Sequence, residues 1–231
     1  MAITQKPAEK PAVPLSPAAP GAEVSRDLVT TPGCNGAIVA AYHTLLTNVD
    51  LALGPHAGGM VAIAAIDANA DAARVGANLS LVAAHSGERT LLIDCDLQAG
   101  ALTHLFGLDP APGVAQLLGG EHSDLRALTQ PTALPTLGVI VAGTSGTRHG
   151  RLARLGDLSA ALLRLKNAAD RVMLIAPPVL GSTDLLQLAA YVDGVLLVVA
   201  PGRTQREMAA RARTILNKAE VPLLGVALVP S

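Results

Sequence analysis

Aromatic side chains are nearly missing from this sequence: its 231 residues hold no tryptophan, one phenylalanine (Phe106) and two tyrosines (Tyr42 and Tyr191). A core must therefore be packed from Ala, Val, Leu and Ile, which bury little area each and rely on close packing between helices and a sheet. Cysteine is almost as scarce. Cys34 and Cys95 are too few for a disulfide framework or a four-ligand zinc site, and a reducing compartment fits them best. Charge is balanced at −1, with a pI near 6.6, so no global field draws the chain to nucleic acid or to an anionic membrane. No uninterrupted apolar run approaches the roughly 20 residues that span a bilayer, and the N-terminus lacks a secretory stretch. The expectation is a soluble cytoplasmic protein.

What is present is apolar and ordered along the chain. Half of the residues are hydrophobic, enough for one α/β domain with a full core plus a tail. Residues 1–35 carry Pro7, Pro11, Pro14, Pro17, Pro20 and Pro32 without helical or strand periodicity, which describes a disordered leader. The domain is expected over 36–231. Ile38, Ala41, Leu45 and Val49 recur at helical spacing between Ala37 and Leu53. Buried strands are expected at Met60–Ile66, Thr90–Ile93, Leu137–Ala142, Val172–Ala176, Gly194–Ala200 and Leu223–Val229. Helices are expected between them at Asp67–Ala84, Ala101–Phe106, Gly113–Leu118, Leu155–Ala169, Asp184–Tyr191 and Gln205–Ala219. Strands without polar alternation that take turns with helices predict a parallel sheet covered on both faces, a three-layer α/β/α fold.

Several segments, among them AAYHTLLTNVDLAL, GANLSLVAAHSGERTLLIDCDL, HLFGLDPAPGVAQLLGGE and APPVLGSTDLLQLAAYVDGVLLVVAPGRTQRE, resemble the bacterial tyrosine kinases of capsule and exopolysaccharide synthesis. These kinases are a branch of the partition and septum-site ATPases with the P-loop NTPase fold. The likeness runs from about residue 40 to 229. In that family the first strand leads into a glycine-rich loop whose N–H groups cradle phosphates, while a Lys binds their outer oxygens and a hydroxyl holds magnesium. Here the loop reads Asp67-Ala68-Asn69-Ala70-Asp71-Ala72-Ala73, with Ala72 in the Lys position and Ala73 in the hydroxyl position. Asp67 and Asp71 would repel phosphate by on the order of a kcal/mol or more each.

The family's strand ending in two Asp is kept as LLIDCDL, so the resemblance gives Asp94 and Asp96 the role of orienting metal-bound water and assisting the attacking group; Gln98 replaces the common Arg. The strand that runs into Asp, Thr and two Pro survives as Leu174-Ile175-Ala176-Pro177-Pro178 without its Asp. Val229 stands where an Asn helps read adenine. The Glu and two Arg that join subunits into a ring are Ala40, His43 and Leu46, and the Tyr-rich tail has no counterpart before Ser231. Phosphoryl transfer depends on positioning and charge neutralisation, so these losses imply a non-catalytic relative with Asp94 and Asp96 as relics. The expected cofactor is none; ATP and magnesium enter only if the chain is a live kinase or ATPase. The implied partner is a polysaccharide co-polymerase or other membrane protein, or an active kinase paralogue. Homo- or hetero-oligomers and a place at the inner membrane face through that partner would follow.

Blander readings stand beside the sharper ones. Asp67, Asn69 and Asp71 alternate like the start of a calcium loop, but Ala72 replaces the turn Gly and Asn78 the closing Glu, so no metal is assigned. A solvated loop that caps the next helix through Asp67 or Asn69 is the alternative. Arg203, Arg206, Arg211, Arg213 and Lys218 share about half of the last helix, either as a DNA-binding face of the partition type or as a solvated surface interrupted by Glu207. Nucleic acid is the least favoured partner. The six histidines show no ligand spacing, and Cys95 between two Asp reads as a small core residue.

Overall fold

Short apolar runs separated by amphipathic stretches set the architecture. The structure is a computed structural model that describes residues 25, 28–29, 35–54, 59–68, 71–118, 125–144, 162–167 and 169–229. Its elements are α1 (Gly36–Leu53), β1 (Met60–Ala65), α2 (Ala72–His85), β2 (Thr90–Asp94), α3 (Ala101–Phe106), α4 (Val114–Leu118), α5 (Leu125–Leu128), β3 (Gln130–Pro131) and β4 (Leu137–Ile140). They continue as a helical stretch α6 (162–167), β5 (Arg171–Ala176), α7 (Asp184–Ala189), β6 (Gly194–Val199), α8 (Arg206–Lys218) and β7 (Leu223–Leu228). Among the described residues the strands form one sheet in the order β3-β4-β2-β5-β1-β6-β7. All pairs are parallel except β3 with β4.

Burial follows the pleat. Val61 and Ile63 of β1 join Leu92, Met173, Ile175, Leu196 and Val198 under α1, α2 and α3, whereas Met60, Ala62 and Ala64 join Ile93, Leu174 and Leu197 under α4, α6, α7 and α8. The sheet is thus the middle of three layers, as the unbroken apolar strands require. Gly76 lets α2 lie directly on β5, since a Cβ there would collide with the Ile175 side chain.

The differences from the sequence expectation have physical reasons. Strand β3 was not expected: it is two residues long, includes Pro131, and meets β4 antiparallel at the sheet edge, where a missing N–H costs least. Helix α2 begins at Ala72, five residues after the expected Asp67, because β1 passes first through a turn. The leader is not wholly outside the fold: Leu28 is fully buried in the cluster under α2 and α3. Residues 1–24 of that leader, Cys34 and most of the expected helix at Leu155–Ala169 lie outside the described residues. Helix α1 is long and apolar enough to cross a membrane by length and composition, which an expectation built on uninterrupted runs overlooked because His43, Thr44, Thr47 and Asn48 punctuate it. Here it packs Leu46, Val49 and Leu53 inward.

The last turn of α1 is held by a buried cation. Arg171 opens β5 with only 2% of its side chain exposed, and its guanidinium reaches Asp50 of α1 at 2.8 Å and Glu88, in the turn before β2, at 2.7 Å. Burial alone would lower its pKa; the hydrogen bond and charge of Glu88, joined by Asp50, outweigh that and raise it. Replacing one partner of a buried ion pair strands the others. Arg171→Ala is expected to cost about 3 kcal/mol in urea unfolding; a loss below about 1 kcal/mol would show that solvent already carries the two carboxylates.

Among the described residues strand β7 is the sheet edge and carries no charge, and Leu223, Val226 and Leu228 are exposed there, Leu228 by 69%. Edges of this kind template association. Leu228→Lys is therefore expected to lower light scattering at high protein concentration while leaving the melting temperature unchanged; equal scattering by both proteins would remove the edge as the cause.

Candidate functional site

The strand order gathers the predicted residues at the carboxyl edge of the sheet. Strand β5 lies between β1 and β2, with Ala64 opposite Ala176 and Asp94 opposite Ile175. The turn after β1 with Asp67, the Ala176-Pro177-Pro178 exit of β5 and the Asp94-Cys95-Asp96 exit of β2 therefore sit side by side. Ligands in open parallel sheets bind outside this edge.

At the β2 exit, Asp94 is fully buried. One carboxylate oxygen accepts the Asp96 N–H at 3.1 Å, and the other accepts the Leu102 N–H of α3 at 3.2 Å. Burial raises its pKa to about 7, against the lowering effect of these two N–H groups, and the nearby Asp96 charge adds to the rise. Asp96 is half-buried and turns to its own loop, accepting from Gln98 N–H at 3.2 Å and Ala99 N–H at 3.3 Å. Cys95 is fully buried, its N–H bonded to the Ile175 carbonyl at 2.8 Å, and burial pushes its thiol up, away from nucleophile behaviour.

The turn after β1 differs from the expectation in its cap. Asp71, not Asp67 or Asn69, closes the N-terminus of α2: its carboxylate accepts the Arg74 N–H at 2.8 Å and lies 3.5 Å from the Arg74 Nε. With the helix starting at Ala72, only Asp71 stands at the cap position. Ala72 and Ala73 are buried against the core and offer no charge or hydroxyl. Asp67 is buried and takes the Thr204 hydroxyl at 3.5 Å, which links this turn to the loop before α8. Asn69 lies outside the described residues. The β5 exit folds over the end of β1, where Val179 and Leu180 donate N–H bonds to the Ala65 and Ile66 carbonyls at 3.0 and 3.1 Å. No group of three metal-ligating side chains occurs among the described residues.

Arg203, Arg206, Arg211, Arg213 and Lys218 are all exposed, beside an equally exposed Glu207, which fits a solvated face and a DNA-binding face alike. Leu46, at the position of a ring-forming Arg in the resembled family, is buried, so α1 directs an apolar side chain inward there. Sequence reasoning missed Gln116, which accepts the Gly113 N–H at 3.0 Å and donates to the Thr144 carbonyl at 2.6 Å, fastening α4 to the exit of β4. A lone Gln inside the apolar run of α4 was the available signal.

Asp94 gives the site a pH dependence. Its folded pKa of about 7 exceeds the ordinary 3.8, so the folded chain holds a proton that the unfolded chain has released. Stability should therefore fall as pH rises from about 4 to about 7 and level off above, by the linkage of proton binding to folding. A melting temperature measured across pH 5 to 8 that rises, or a carboxyl carbon of Asp94 that titrates near pH 4, would refute the assignment.

No family model matches the chain. The tyrosine-protein kinase ptk of Acinetobacter johnsonii is 30% identical over 162 residues, covering 70% of this chain and 22% of that protein. The tyrosine-protein kinase YwqD of Bacillus subtilis is 28% identical over 184 residues, covering 80% of this chain and 77% of its own length. This chain therefore spans about a fifth of the first relative and most of the second. The kinase domain of the Escherichia coli tyrosine kinase ETK superposes with a TM-score of 0.76 at 25% identity, over 84% of this chain and 76% of that domain. The septum site-determining protein MinD of Pyrococcus horikoshii shares the fold more distantly, with a TM-score of 0.62 at 20% identity over 74% of this chain and 69% of that one. The homologues of this chain are bacterial tyrosine kinases, and its fold is the three-layer P-loop NTPase-like fold of their kinase domains.

Proposed function

We propose that this chain is a non-catalytic member of the capsule and exopolysaccharide kinase group, acting as a regulatory or scaffolding subunit. The observation that carries the reading is the start of α2. The chain's own Asp71 carboxylate occupies the helix end where the resembled kinases receive phosphate, and the two side chains that would supply the ammonium and the magnesium hydroxyl are the buried methyls of Ala72 and Ala73. Asp67 adds a buried carboxylate at the same turn, and the β5 exit ends in Ala176 and Pro177 without an acid for a metal. Charge neutralisation is what phosphoryl transfer asks of a protein, and these groups supply the wrong sign or none.

On this reading the partner is a protein, either the cytoplasmic part of a polysaccharide co-polymerase or an intact kinase paralogue, and the chain works at the inner face of the membrane through it. A second reading, a live tyrosine kinase or ATPase, draws on Asp94 and Asp96 lying at the sheet edge with Arg74 as the nearest cation of α2. Arg74 is spoken for by Asp71 at 3.5 Å, which weakens that alternative.

Calorimetric titration with ATP and magnesium separates the two. The expected result is no binding heat up to about 1 mM nucleotide, an interaction weaker than about −4 kcal/mol. Saturable heat, with label transferred from ATP above an Asp94→Ala, Asp96→Ala double variant, would establish the live enzyme instead.

A further inference from the structure

The chain preceding α1 makes three contacts with the helices that carry the candidate site. The Ser25 N–H donates to the Leu105 carbonyl of α3 at 3.0 Å. Leu28 is fully buried in the apolar cluster that includes Leu79 of α2 and Leu102 and Phe106 of α3. The Val29 N–H donates at 2.9 Å to the side-chain carbonyl of Asn78, 49 residues away. The Asn78 side chain is enclosed by the core. It lies in the interior of α2 with 2% exposure, where an Asn is a poor helix former and a buried amide is costly unless it is bonded. The Val29 N–H supplies such a bond.

The two helices joined in this way hold the two halves of the site. Helix α2 begins at the Asp71 turn, and α3 begins with the Leu102 N–H bonded to Asp94. Helix α3 has only six residues and a left-handed glycine at each end, Gly100 and Gly107, so little of its own backbone fixes its position. What fixes it is the burial of Leu102 and Phe106, the Asp94 carboxylate at one end and the Ser25 bond at the other.

We propose that Ser25, Leu28 and Val29 form an intramolecular latch that holds α3 against α2, so that its release is transmitted to Asp94 through α3. The latch couples the chain before α1 to a buried acid through Ser25 to Leu105 and Leu102 to Asp94. It does not depend on whether the chain binds nucleotide. Withdrawal of Leu28 and Val29 breaks the Val29 bond to Asn78 and loosens α3, and the Leu102 N–H then leaves the Asp94 carboxylate.

Two variants test this in the full chain by residue-resolved amide exchange and by carbon NMR of the Asp94 carboxyl. Ser25→Pro removes the N–H donated to Leu105, and Leu28→Ala shortens the plug. In both, exchange at Leu102 and Leu108 is expected to quicken at least tenfold, exchange in α8 and β6 to stay unchanged, and the Asp94 titration midpoint to move. Equal quickening throughout the sheet would mean that Leu28 is an ordinary core residue, and unchanged exchange in α3 would mean that the contacts do not hold it. Faster exchange in α3 with an unmoved Asp94 midpoint would break the link to the site. Each of these three results overturns the latch. If Leu28→Ala fails to fold, Ser25→Pro decides alone.

Discussion

The arrangement of the acidic edge depends on β5 lying between β1 and β2. Strands β1 and β2 do not touch, so Asp67 and Asp94 approach one another only as far as the intervening strand allows, and the exit of β5 decides what stands between them. That exit is Ala176 followed by two prolines. The backbone after it bonds to the end of β1 through Val179 and Leu180, which closes the gap with hydrogen-bonded main chain instead of a carboxylate. Parallel pairing on both sides, burial on both faces and close contact of α2 through Gly76 all fix β5, so the spacing of the edge is a property of the core.

Among the described residues no cation pairs with Asp94, so its electrostatics settle differently from those of a phosphate site. A buried carboxylate without a positive partner reduces its cost by taking up a proton, and Asp94 does so up to about neutral pH. Its two N–H donors favour the charged form but are outweighed by burial. Arg171 at the opposite end of the sheet is the contrast: burial there too disfavours the charged form, but Glu88 and Asp50 within 2.8 Å outweigh it and raise the pKa, whereas Asp94 has only backbone dipoles to oppose its burial.

Much of the fold was legible because the strands other than β3 are largely apolar runs of four to six residues and the helices carry a different period. Asp94 and Asp96 were legible as strand-end acids, and the sheet does bring them to one edge with Asp67. The cap of α2 was not legible. Asp67, Asn69 and Asp71 are equivalent as cap formers, and the choice falls to where β1 releases the chain, a tertiary fact. Leu28 was hidden as one leucine in a proline-rich tract, since a single side chain has no period. Arg171 left a trace, a charge opening an apolar strand, but its partners come from α1 and the turn before β2, which no local pattern joins.

The weight of the proposed function does not rest on the Asp71 cap alone, as the magnitudes show. An N-cap contributes about 1 kcal/mol, so displacing it would cost a phosphate ligand only about fivefold in affinity. Asp71 is also half-exposed, which lets water take over its role cheaply. The larger obstacles are fixed in the core. Ala72 and Ala73 are buried in the cluster that lies under α2, and a lysine or serine in their place would have to find room in that packed interior. Asp67 cannot turn away, since it is buried and held near Thr204. The charges that this edge offers a ligand are thus set by the core packing of Asp67, Ala72 and Ala73 more than by the exposed Asp71 cap.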